Sequence, residues 1–118
     1  MFPKVYTLLH SWPAVAAIVG DRIGAHGEVP QDTARPYITY SGFDQPYDQL
    51  DGPPSADFAP TDINCWHQTD EGIRALAKAV RDALDAALIC NRVTIDLREP
   101  DTRLYRVSIT ADFITNRP

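Results

Sequence analysis

A chain of 118 residues, 44% hydrophobic and 23% charged, has the length and composition of one folded domain, read here as 1–118. Its net charge of −5 and pI near 4.9 argue against nucleic acid as a direct ligand, because neutralising phosphates needs clustered lysine and arginine. No apolar run approaches the 18 residues of a membrane span, the first residues lack a signal-peptide layout, and two cysteines are too few for a disulfide framework.

The N-terminal part predicts two short helices. Phe2, Val5, Tyr6 and Leu9 recur at helical spacing, and Ser11 is placed to cap a second helix over 13–19 that Gly20 closes. Residues 21–26 read as a short strand, and 35–43 as a stronger one on the strength of Tyr37, Ile38 and Tyr40. Residues at about 42–61 then bring five aspartates by Asp62, four prolines and no base, the composition of a long loop. No base at all separates Arg35 from Arg74. A strand is expected over 62–68. Thr69 caps a long helix with Asp70 and Glu71 in its first turn and an apolar stripe of Ile73, Leu76, Ala77, Val80, Leu84, Ala87 and Leu88.

The last third predicts a hairpin. Val93, Ile95 and Leu97 alternate outward, and Tyr105, Val107, Ile109, Ala111 and Phe113 alternate on the return. Facing residues share a side of the sheet, so Ile95 is expected opposite Val107 and Leu97 opposite Tyr105. That register sets Asp96 across from Arg106 and Thr94 across from Ser108, and it requires a bulge or a five-residue connection around 99–102. The ensemble is α+β: a roughly four-stranded antiparallel or mixed sheet with one long helix across one face and a short N-terminal helix.

Chemistry is sparse. Cys65 and His67 share a strand face, but i and i+2 lie about 7 Å apart there, too far for a nucleophile–base hydrogen bond. Cys90, His10 and His26 stand at no recognised metal-ligand spacing with them. The carboxylates and arginines interleaved around the hairpin read as a self-compensating charged surface. No phosphate loop, nucleophile elbow or zinc-protease motif is present. These residues imply a binding or assembly module with no catalytic residues, no metal and no cofactor. Its candidate interface consists of Asp44, Tyr47, Asp48, Leu50, Asp51, Asp57 and Phe58 in the acidic stretch and the Asp96–Arg106 pair on the hairpin.

The run Ser11-Trp12-Pro13-Ala14-Val15 through Gly20-Asp21-Arg22-Ile23, followed by Arg35-Pro36-Tyr37-Ile38-Thr39-Tyr40, resembles the opening of tail-completion proteins of tailed bacteriophages. Ile63-Asn64-Cys65-Trp66, the helix from Gly72 to Leu84, and Thr102 to Ile109 are similar to that family's later strand, helix and closing strand. The resemblance implies a structural virion protein of the tail or neck, made in the host cytoplasm. It implies a homo-oligomeric, six-fold ring that caps the head-proximal end of the tail tube, stops its growth and joins tail to head. The partners so implied are its own copies, the tail tube protein, and a head–tail connector or head-closure protein, with DNA passing through unbound and no membrane. The particle is a phage, a prophage or a gene transfer agent. Two alternatives stand beside it: another neck component such as a head-closure protein, and a small cytosolic enzyme using Cys65 and His67.

Overall fold

The computed structural model describes residues 5–25, 36–42, 45–46, 56–100 and 103–116. In chain order it runs α1 (Val5–His10), α2 (Pro13–Val19), β1 (Ile23–Ala25), β2 (Tyr37–Gly42), β3 (Gln45–Pro46), β4 (Ala56–His67), α3 (Asp70–Ala86), β5 (Asn91–Arg98) and β6 (Tyr105–Asn116). The strands form one mixed sheet ordered β1-β2-β4-β6-β5, with the two-residue β3 pairing β4 off this path. β1 lies parallel to β2, and every other pairing is antiparallel. The α+β expectation holds with more strands than the four expected.

α1 buries Val5 and Leu9, while Phe2 lies outside the described residues. Tyr6, expected on the buried side, is exposed and stacks on His10 at 5.1 Å between ring centroids. The Ser11 cap is not formed. Ser11 Oγ instead donates back to the Leu8 carbonyl at 2.9 Å, and Trp12 stands at the N-cap of α2 without a side-chain bond. Pro13 supplies the start of α2, where a missing N–H costs nothing. Gly20 closes the helix at φ 57, the left-handed region that suits glycine.

α3 carries the main packing. Thr69 Oγ1 accepts from the Gly72 amide at 3.0 Å, and Asp70 and Glu71 sit against the positive helix end. Ile73, Leu76, Ala79, Val80, Ala83 and Leu84 are buried against the sheet. Ala87 and Leu88, expected to continue the stripe, are exposed because the helix stops before them. The Ile89 amide bonds to the Leu84 carbonyl at 2.9 Å, and Leu88, at φ 60 and 94% exposed, occupies the turn position where glycine is usual.

Ile63, Cys65, Val107, Ile109 and Ala111, together with Ile38 and Ile23, form the sheet's contribution to the core beneath the helices. β4 begins at Ala56, six residues before the expected start, so the last six residues of the presumed loop are strand. Pro60 fits there because the β2 pairing ends at Gly42↔Thr61 and the β3 pairing starts at Phe58, leaving a gap where an N–H is not needed. Gly42 is required at that crossing: a Cβ would lie 2.8 Å from the Pro60 carbonyl oxygen.

The hairpin register differs from the expected one. A bulge between Val93 and Ile95 shifts β5 by one residue, so Val93 faces Ile109 but Ile95 faces Ser108, Asp96 faces Val107 and Leu97 faces Arg106. The extra residue needed to reconcile the two strands thus lies inside β5. Thr94 remains beside Ser108 and donates to its carbonyl at 3.3 Å.

Candidate assembly interface

The helices and the apolar odd-numbered residues of β4 and β6 share one core, which leaves the even-numbered residues on the opposite face of the sheet. Three rows cross that face in register. Thr39, Asn64, Ser108 and Ile95 make the middle row; Ser41, Asp62, Thr110 and Arg92 make a second. The third row consists of Tyr37, Trp66, Arg106 and Leu97, and its members are the bulkiest. Ile95 and Leu97 belong to this face only because the bulge turns β5 over after Val93.

The large row is held by direct contacts. Tyr37 stacks on Trp66 with centroids 6.0 Å apart, and the Arg106 guanidinium lies 5.2 Å from the centre of the same indole. Arg106 donates from Nε and Nη2 to Asn64 Oδ1 at 3.2 and 2.9 Å, and from Nη1 to Glu99 at 3.3 Å. Ser108 also donates to Asn64 Oδ1. Arg106 and Glu99 are both about three-quarters buried, at 27% and 28% exposure, so the guanidinium is fixed on both sides. Trp66 Nε1 reaches Thr39 Oγ1 at 3.4 Å, and Thr110 donates to Asp62 at 2.8 Å. Leu97 closes the row at 43% exposure.

Of the residues expected at an interface, Asp96 and Arg106 do not pair with each other. The bulge turns Asp96 to the helix face, where it meets Arg74 of α3, which also contacts Asp70 at 3.5 Å; Arg106 takes Glu99 and Asn64 instead. Asp57 and Phe58 enter β4 opposite Pro46 and Gln45 of β3. Asp44, Tyr47, Asp48, Leu50 and Asp51 lie outside the described residues. Tyr37, Trp66, Asn64 and Leu97 are the residues the sequence did not assign to this surface. Trp66 and Tyr37 are visible there as aromatics of alternating strands, but their meeting depends on a register between distant segments.

The cysteine and histidine considered for catalysis are arranged for structure. Cys65 is fully buried beneath α3, and burial pushes its thiol up to about 12, far from the thiolate a nucleophile needs. His67 Nδ1 accepts from the Thr69 amide at 3.2 Å, and its ring lies over Gly72. Burial lowers its pKa from the ordinary value. Cys90 is exposed, and among the described residues no group of three or more His, Cys, Asp or Glu side chains is placed to hold a metal. No helix among them is long and apolar enough to cross a membrane.

No curated protein matches the chain. Among solved structures, a chain from the "Virion of native gene transfer agent (GTA) particle" shares the fold at TM-score 0.73 and 18% identity, over 96% of this chain and 92% of that one. The model of the family described as "Tail completion protein gp17" matches residues 3–116. With that match spanning every element from α1 to β6, the chain belongs to the tail completion protein gp17 family and is a structural protein of the phage tail.

Proposed function

We propose that this protein acts as a ring subunit at the head-proximal end of a tail tube, where it ends tube growth and offers the surface to which the head joins. The observation that carries the reading is the family match over residues 3–116. The likeness of fold to a chain of a gene transfer agent virion supports a place in a particle of that general kind. The working form is an assembly of copies, six as the family resemblance implies, seated on tail tube protein and meeting a connector or head-closure protein. A closed ring needs two different surfaces on each subunit. The sheet face opposite the helices is suited to be one of them, since tryptophan, tyrosine and arginine are the residues that dominate binding energy at protein contacts. The acidic stretch with Tyr47, Leu50 and Phe58 as apolar anchors is suited to be the other. No catalysis is part of this function.

The test is electron microscopy of particles made with and without the chain. With it, labelled copies are expected at one end of each tube, next to the head; without it, tubes of uncontrolled length and unjoined heads are expected. Normal tubes joined to heads in its absence would refute the reading.

A further inference from the structure

We propose that Leu88, at the tip of the turn between α3 and β5, is the anchor by which one copy docks onto the Tyr37–Trp66–Leu97 end of the next copy's sheet. The inference rests on the ring reading and names a contact between copies that makes the ring.

Leu88 is unfavourably placed within a single copy. Its φ of 60 lies in the left-handed region, which a side chain disfavours and glycine occupies freely. The side chain gains no burial in return, being 94% exposed. Ala86, Ala87 and Cys90 are exposed beside it, so the tip is apolar and carries no charge from Ala86 to Cys90. Strained residues persist where their surroundings fix them, and they gather at binding sites. Here the surroundings do fix it. The Leu88 amide donates to the Asp85 carbonyl at 3.0 Å, the Ile89 amide to the Leu84 carbonyl at 2.9 Å, and Ile89 packs against the core. Asn91 Nδ2 donates to Asp85 Oδ1 at 2.8 Å and to the Ile89 carbonyl at 2.9 Å, while its Oδ1 accepts from Arg81 Nε at 2.8 Å. The tip is a rigid knob, and docking it orders little new chain.

The same chain carries an apolar surface of different shape at the far end of its sheet. Leu97 is 43% exposed there beside the half-buried Trp66 and Tyr37. Asn91 begins β5 opposite Ala111, whereas Leu97 lies opposite Arg106, about 17 Å away along β6. Leu88 follows α3, whose layer covers one face, and the row lies on the other face. One copy therefore cannot bring its tip to its own row, but each copy can offer both to its neighbours. Contact between two unlike surfaces is the geometry that closes a ring or continues a stack.

Charge agrees with this pairing. Arg98 and Arg103, next to the row, form no ion pair among the described residues; Arg98 lies over the Tyr105 ring at 5.6 Å and Arg103 is exposed. Arg106 and Glu99 match each other. At the tip, α3 has Asp85 and no base in its last turn, so a carboxylate adds to the negative end of the helix dipole. Lys78 matches Asp82 at 2.7 Å, whereas Asp85 is bonded to the Asn91 amide, and Arg81 offsets part of its charge through that same asparagine. A neighbour's arginine would complete that end.

Two measurements on the full chain test the contact. Leu88→Gly relieves the strain and removes the anchor, so its unfolding midpoint is expected to equal or exceed that of the wild type. Its assembly, followed by sedimentation velocity alone and with tail tubes, is expected to need about tenfold or more protein. Wild-type assembly of this variant, or a lowered midpoint, overturns the inference and leaves the ring reading intact. The second measurement uses a Cys90→Ser chain carrying Leu88→Cys, Leu97→Cys or both. Mild oxidation of the assembled protein is expected to link copies when both positions are changed, in one chain or in a mixture of the two single variants. Assembly without such links, or links formed by Leu88→Cys alone, overturns the head-to-tail contact. A wild-type chain that stays monomeric with and without tubes overturns the ring reading and this contact with it.

Discussion

Replacing Gly72 by alanine should destabilise the protein, against the preference of helices for alanine. In an unencumbered helix the change is worth up to about 1 kcal/mol in favour of alanine. Here the His67 ring occupies the space where the new Cβ would stand, well inside van der Waals contact. The ring would have to leave, and with it the bond from the Thr69 amide to Nδ1 and the half-buried packing at the start of α3. A hydrogen bond of that kind contributes about 0.5–1.5 kcal/mol, and partial exposure of the ring adds a comparable amount. The net loss for Gly72→Ala should therefore be about 1–2 kcal/mol. In a chain already carrying His67→Ala, the obstacle is gone and the same substitution should be neutral or stabilising by up to about 1 kcal/mol. Urea unfolding of the four proteins in the double-mutant cycle measures both numbers. A coupling below about 0.5 kcal/mol, within the error of additivity for independent sites, would refute this account of the strand-to-helix junction.

Ile109 is fully buried and Val93, directly opposite it, is 43% exposed, so Ile109→Ala should cost about 2–5 kcal/mol and Val93→Ala under about 1; equal shifts in the urea midpoint would place the core elsewhere. Since burial holds the His67 imidazole below its ordinary value of 6.5, the unfolded chain takes up a proton first as pH falls. Stability from this group is full above pH 6.5 and declines as pH drops through that value, levelling off below the lowered folded one, and His67→Gln should flatten that part of a Tm-against-pH curve. Cys90 should react with a thiol reagent at once, whereas Cys65, with its thiol pushed up to about 12, should react only on unfolding; two fast thiols in the native protein would contradict its burial.

The parts of the fold that could be read in the sequence are those fixed by local periodicity. Ile73, Leu76, Val80 and Leu84 repeat every three or four residues, and Val107, Ile109 and Ala111 every two, so α3 and the inner face of β6 follow directly. Two features defeated such reading. Asp57, Pro60 and their neighbours have loop composition, yet they form strand because β6 and β3 supply partners far away in sequence: Phe58 faces Ile114, 56 residues on, and Gln45, 13 residues back, separations no local pattern records. Val93, Ile95 and Leu97 look like one apolar face, but a single bulged residue places Ile95 and Leu97 on the other side. The candidate interface was hidden for the same reason: Tyr37, Trp66, Arg106 and Leu97 come from four strands and meet only through register.

The bulged β5 has a consequence for how copies can fail to associate. Among the described residues β5 is the longer edge strand of the sheet, and such an edge ordinarily invites a second strand to add to it. With its hydrogen-bonding rhythm interrupted after Val93, and with Arg92, Asp96 and Arg98 spaced along it, it offers no continuous template. Among the described residues the edge at the other side, β1, spans Ile23–Ala25. A virion protein is made in many copies in a crowded cell before its particle exists, when fibre growth by strand addition is the chief hazard for an open sheet. A bulged, charged β5 edge turns association toward faces and ends, which can demand a specific fit.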